Sequence, residues 1–426
     1  MEQLQTNRRK FLSTASKASV AAIGMSSLPS HTLSAIENAG PMKIKKIEAL
    51  RIRSDLRLDG LSIPWTWVRL HTNTGLTGIG ETYPRMESQT GALKDFAGML
   101  IGRDPRDIER TWRDMYDRAS FTVSGGAEMR IISAVNTAMW DILGKSVGAP
   151  VYVLLGGKAQ EKIRVYNTYT SGWTIEGMQL GTDAEKITRS LLDKGIKGIK
   201  IVPYDGAARK NDGSYISPAE IEECLDWTKR IRDIAGDEME IAIECHSYWN
   251  LPCALKIAKS LEPYNPMWIE DIMLPDNMQS YAVLARETPI PVCNSERLAT
   301  RYGFREMLEA KAVDIAMYDL SWCGGVSSAK KIADFADTYY IPIAPHKGNG
   351  PINWFASLHV STTATNFFIH ESCWGFHQYV FPHFIKNVPV PVDGFVTPPD
   401  LPGLGIDFRE EPFENGDIIT ETVAEI

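Results

Sequence analysis

The 426-residue sequence has no CxxC pair; its six cysteines, at 224, 245, 253, 293, 323 and 373, stand singly. That pattern excludes a cysteine zinc framework and a dense disulfide scaffold. Basic clusters are also missing outside the N-terminus, and the formal net charge is -8. Phosphate backbones demand concentrated Lys and Arg, so nucleic acid is excluded as the partner. Beyond the first 35 residues no segment approaches the roughly 20 apolar residues of a membrane span, so no membrane insertion is expected of the mature form. A small anionic substrate would need a local cationic centre, such as a metal.

The first 35 residues differ from the rest. TNRRKFL places Arg8 and Arg9 before Phe11 and Leu12, a small-residue stretch ASVAAIGMSSL follows, and LSA at 33–35 offers a cleavage region. Residues 1–35 are therefore expected to be a twin-arginine-type signal peptide delivering the protein to the periplasm. The alternative is a basic tail on a cytoplasmic protein.

Residues 42–157 read as an α+β capping domain. KIKKIEALRIR and WTWVRLHTNTGLTGIGETYP carry strand alternation broken by Gly turns, and AEMRIISAVNTAMWDILGKSVGAP carries helical spacing ended by Gly148 and Pro150. From 161 to 390 the pattern becomes short β-branched runs alternating with helices: IRVYNTY, GIKGIKIVP, MEIAIECH, PMWIED, IPVCNSE, VDIAMYD, IPIAPH and NFFIHE. Eight such units predict an α/β fold built on a parallel barrel. Residues 391–426 are expected to return to the cap.

The strand ends carry the chemistry. Glu244, Glu270 and Glu296 recur at intervals of 26 residues, and Asp319, His346 and Glu371 follow at similar steps. One barrel unit has about that length, so these side chains should converge at the carboxyl ends of the strands, where barrel active sites form. Oxygen ligands without sulfur or imidazole favour Mg²⁺ over zinc, which predicts Glu244, Glu270 and Glu296 as metal ligands. His346 is predicted as a base oriented by Asp319, and His246, two residues beyond Glu244, as a second proton-transfer group on the same strand face.

Lys200, closing the second strand, is read either as a salt-bridge partner of the ligand carboxylates or as a substrate contact. Glu371 either donates to a developing oxyanion when protonated or pairs with Lys200. Trp65 is either a packing residue or, in a cap loop over the mouth, a substrate contact; that loop, residues 57–67, is expected to set stereospecificity. His370 and Cys245 should face the layer between barrel and helices. The first strand, IRVYNTY, lacks the His-x-His of barrel metallohydrolases.

Together these residues resemble the enolase superfamily, in its mandelate racemase and muconate lactonizing enzyme branch. The resemblance rests on WVRLHTNTGLTGIGET, AMWDILGKSVGAPVYVLLGG, WIED, NSER, LSWCGGVSSAKKIA, APHKGNGPIN and PPDLPGLGI. It implies a capped, modified (β/α)₇β TIM barrel, an essential Mg²⁺, removal of a proton next to a carboxylate, and a homo-oligomer. The racemases' second lysine of a Lys-x-Lys pair is missing, because Val202 follows Lys200 at that spacing. Glu244 and His246 resemble the carboxylate-x-His of D-galactonate and D-gluconate type acid-sugar dehydratases. There His346 would take the C2 proton and His246 would protonate the departing C3 hydroxyl, leaving a 2-keto-3-deoxy acid. An epimerase, racemase or cycloisomerase of a sugar acid is the alternative on the same scaffold. Departures from the pattern are Glu in place of Asp at 244, Ser-Tyr-Trp after His246, and Lys-Gly-Asn-Gly after His346.

Overall fold

A computed structural model describes residues 41–120, 125–169, 176–348 and 350–426. The expected signal peptide lies outside the described residues. Residues 41–426 form one compact unit.

Four antiparallel strands make the cap sheet, in the order Ile418–Glu425, Ile44–Ile52, Thr66–Thr72 and Thr77–Thr82. The C-terminal strand thus pairs along the first cap strand, Lys46 opposite Glu425 and Ile52 opposite Ile418. Helix Ala127–Val147 packs on this sheet and stops at Gly148, whose φ of 68° is the left-handed geometry of a helix end. Its approach is very close. A Cβ on Gly80 would lie 1.8 Å from the Ala134 carbonyl oxygen, so only glycine lets strand and helix meet there.

The barrel strands run parallel: Ile163–Tyr169, Gly198–Ile201, Glu240–Glu244, Trp268–Glu270, Val292–Asn294 and Ile315–Ala316, with His370–Ser372 beside the first. The expected seventh strand, IPIAPH, makes only single bridges, Ile343 to Ala316 and Phe367, and His346 to Asp319. Pro342 and Pro345 remove two backbone donors from this segment, which shortens its ladders without preventing closure. Tyr166, Ala242, Trp268, Cys293, Met317, Ala344 and Ile369 fill the interior, so the barrel is packed and chemistry is confined to its mouth.

Cys245 and His370 are fully buried, and the His370 ring lies 5.1 Å from that of Trp354 on helix Pro351–Thr363. His370 therefore sits between the strands and that helix, its Nδ1 donating to the Glu371 carbonyl at 2.7 Å, and Cys245 lies in the apolar cluster that includes Cys253, Ala254 and Ile257.

Candidate active site

Strand register assembles the carboxylates. Glu244 stands directly opposite Glu270 on the neighbouring strand. One oxygen from each of Glu244, Glu270 and Glu296 lies within 4.8 Å of the other two, the one such group of potential metal ligands among the described residues. All three are buried.

Lys200 is buried beside them. Its Nζ lies 3.4 Å from Glu244 Oε2 and 2.9 Å from Glu371 Oε1, and donates to Glu270 Oε1. This geometry favours the salt-bridge role over substrate contact. One ammonium cannot balance the set, and burial together with Glu244 pushes the Glu270 carboxyl well above the carboxylate range. Three converging oxygen donors with unbalanced charge fit a hard divalent cation.

Burial opposes charge on Glu371, but Lys200 and His346 outweigh it and hold its carboxyl at about 2. The Lys347 amide also donates to Glu371 Oε2 at 2.6 Å. An ionised Glu371 accepts hydrogen bonds only, which favours its role as the partner of Lys200 over that of donor to an oxyanion.

The two histidines are held alike. His346 Nδ1 donates to Asp319 Oδ2 at 2.7 Å, and Asp319 Oδ1 accepts from Asn353 Nδ2 at 3.1 Å and from the Ser321 amide at 2.8 Å. That leaves Nε2 facing the carboxylates, 2.8 Å from Glu296 Oε2. Burial opposes a charge on His346, yet Glu296 and Glu371 raise its pKa well above the ordinary value.

His246 Nδ1 donates to Asp205 Oδ2 at 2.8 Å. Here burial is outweighed by Asp205 and Glu244, and the ring is raised to about 8. His246 reaches the mouth by a different route from strand alternation. The third strand ends at Glu244, and His246 and Ser247 take left-handed φ values of 47° and 62°. Such φ values cost a non-glycine residue about 1 kcal/mol or more. The His246 amide donates back to Glu244 Oε1 at 2.6 Å, and Arg297 Nε donates to Ser247 Oγ at 3.0 Å, holding the turn.

A cavity of about 740 Å³ joins these groups and includes Glu244, Glu296, Glu371, Lys200, His246 and His346. Asp319 and Glu270 sit behind it as partners of His346 and Lys200. Trp65 is not brought there. It is 1% exposed and packs on Trp67, Phe376, Phe381 and Phe384, an aromatic cluster beneath the cap. Nor does the hairpin of Arg57–Leu58 and Leu61–Ser62 line the cavity; the cap's described contribution is Tyr83, Pro84 and Arg130.

Asp205 and Arg130 are not singled out by the sequence, and Arg297 stands in the NSER motif without an assigned role. Asp205 opens a short helix, Asp205–Lys210, inside the polar insertion after the second strand. Nothing in its spacing ties it to His246, 41 residues away.

Residues 62–156 match the family described as mandelate racemase / muconate lactonizing enzyme, N-terminal domain, and residues 183–412 match enolase C-terminal domain-like. A D-galactonate dehydratase of Ralstonia pickettii is 33% identical over 353 residues, covering 81% of this chain and 89% of that protein. A mandelate racemase subgroup enolase of Agrobacterium tumefaciens superposes with a TM-score of 0.81 at 35% identity, covering 90% of this chain and 100% of that one. A mandelate racemase/muconate lactonizing enzyme-like protein of Rubrobacter xylanophilus gives 0.79 at 31% identity, covering 88% and 98%.

Proposed function

Because the chain belongs to the mandelate racemase and muconate lactonizing enzyme branch of the enolase superfamily, we propose that it is a Mg²⁺-dependent acid-sugar dehydratase, a carbon–oxygen lyase. The observation that carries this reading is the pair of aspartate-anchored imidazoles, His346–Asp319 and His246–Asp205, facing one cavity beside three convergent glutamates. Elimination of water needs a base for the C–H bond and an acid for the C–O bond. Two separately oriented histidines answer that need.

Glu244, Glu270 and Glu296 would hold the Mg²⁺, which when bound draws the substrate carboxylate and offsets charge developing on it. With Glu296 engaged as a ligand, its charge would no longer hold a proton on His346, whose neutral Nε2 takes the C2 proton. The C2–H electron pair first passes into the substrate carboxylate as an enediolate; it then returns to form the C2=C3 bond as the C3–O bond breaks, and His246 gives its proton to the departing hydroxyl, releasing water. The resulting enol takes a solvent proton at C3 to become the 2-keto-3-deoxy acid. Asp319 and Asp205 fix each ring with Nδ1 as donor, leaving Nε2 for the proton transfers.

The D-galactonate dehydratase relative supports an acid-sugar substrate. Its own sugar is not carried over, because Ser247, Tyr248 and Trp249 follow His246 here. The test is a panel of mono- and diacid sugars with Mg²⁺, read as semicarbazide-reactive product, with His346→Ala and His246→Ala alongside. Keto product lost with either substitution supports the reading; no keto product from the wild type across the panel sinks it. Hydrogen exchange at C2 without keto product would instead favour an epimerase or cycloisomerase.

A further inference from the structure

Three guanidiniums line the cavity, and two of them face carboxylates. Arg209 Nη2 lies 3.2 Å from Asp205 Oδ2, and Arg297 lies 3.7 Å from Asp271 Oδ2 and 3.9 Å from Glu296 Oε1. Arg130 forms no ion pair among the described residues. It donates from Nη1 to the Tyr83 carbonyl, and its guanidinium carbon lies 4.2 Å from the centre of the Trp322 ring. Trp322 is held in turn, its Nε1 donating to the same Tyr83 carbonyl at 2.9 Å. A guanidinium has five N–H donors. Only one has a partner among the described residues.

Arg130 is also badly placed for a residue with no ligand. It lies in the first turn of helix Ala127–Val147, whose N-terminal pole disfavours a cation. Burial disfavours its charge further, and the more distant Asp319 and Glu296 offset that only in part. An anion in the cavity would relieve both penalties and meet a flat, pre-oriented fork. The Trp322 ring that supports Arg130 stands 5.3 Å from the His346 imidazole, so the guanidinium is one aromatic ring away from the base. His346 itself contacts the carboxylate cluster through Glu296, while Arg130 makes no ion pair with it among the described residues.

We propose that Arg130 recognises a second anionic group at the far end of the substrate, so that the enzyme's substrates are dianionic acid sugars, either diacids or phosphorylated monoacids. This rests on the dehydratase reading above, in which the first carboxylate sits at the glutamate cluster. Arg130 then sets specificity by gripping the tail of the substrate from the cap, while the barrel carries the chemistry.

The experiment compares matched monoacid, diacid and 6-phosphorylated monoacid sugars on the full chain with Mg²⁺, for the wild type, Arg130→Met and Arg130→Lys. It reads kcat/KM and, separately, calorimetric affinity, with a thermal melt to show that each variant folds. A dianion should be preferred by the wild type. Arg130→Met should lower kcat/KM and affinity about 10- to 100-fold further for dianions than for monoanions, with Arg130→Lys between. Which dianion is preferred distinguishes a distal carboxylate from a phosphate. Equal use of monoanions by the wild type, or an equal loss on both classes in Arg130→Met, overturns the proposal while leaving the dehydratase reading intact. Dianion-selective binding without keto product would overturn the dehydratase reading and keep the assignment of Arg130; no selectivity in binding overturns that assignment whatever the reaction.

Discussion

Nδ1 of His246 donates to Oδ2 of Asp205 at 2.8 Å, the counterpart across the mouth of the 2.7 Å bond from His346 to Asp319. Each aspartate fixes a tautomer, so the two can be separated by what each step leaves behind. Asp205→Asn should cut keto product formation about 10²- to 10⁴-fold, yet leave C2 hydrogen exchange in place, because the His346 pair is untouched. Asp319→Asn should lose both. Proton NMR in deuterated water with each variant checks this; loss of exchange in Asp205→Asn would show that the two histidines do not divide the work.

The glutamate cluster makes metal binding part of stability. A cation that binds only the folded chain adds about 2.7 kcal/mol at a hundredfold excess over its dissociation constant. Thermal melts with chelator and then with Mg²⁺ should show a rise in melting temperature, and Glu270→Gln should shrink it, since one of the three convergent oxygens is no longer ionisable. An undiminished Mg²⁺ response in that variant would argue against the cluster as the site.

Lys200→Met leaves Glu270, Glu371 and Glu244 without their common cation. Removing one member of a buried charge set costs about 3–5 kcal/mol. Urea unfolding without metal should reveal that loss, and Mg²⁺ should restore part of it. A variant as stable as the wild type without metal would contradict the structural role given to Lys200.

Glu81 predicts a pH dependence away from the metal cluster. It leaves the cap sheet to accept from the Gly350 and Ile352 amides at 2.7 and 3.1 Å and from Trp67 Nε1 at 2.9 Å, tying the cap to the loop after His346. Burial raises its carboxyl from an ordinary 4.5 to about 7. Between those values the folded chain keeps a proton that the unfolded chain has released, so stability falls as pH rises through the window. The cost reaches about 3 kcal/mol above it. Glu81→Gln removes this contribution, so the stability of the wild type relative to that variant should decline from pH 4.5 to 7, as denaturant melts across that range would show. A difference that stays flat with pH contradicts it.

The part of the site that repeats was legible in the sequence, because one barrel unit sets a near-constant interval and strand ends share one rim. Glu244, Glu270, Glu296, Asp319, His346 and Glu371 all obey that rule. Asp205 does not, since it lies on a short helix whose approach to the third-strand turn depends on barrel closure. Arg130 belongs to a cap helix whose registry over the mouth is set by tight glycine contacts with the cap sheet. Trp65 was ambiguous for a related reason: a tryptophan before a strand can cover a mouth or fill a core, and only the phenylalanines at 376, 381 and 384 decide in favour of the core. The seventh strand was readable by its apolar run, although Pro342 and Pro345 reduce its pairing to single bridges.

The most direct test of the account is to follow the wild-type enzyme with Mg²⁺ and an acid sugar that it dehydrates in deuterated water by NMR. Removal of the C2 proton, loss of the C3 hydroxyl and solvent protonation of the enol predict a 2-keto-3-deoxy acid carrying one solvent deuterium at C3. Deuterium at C2 of an otherwise intact sugar acid, with no keto product from any acid sugar, would contradict it.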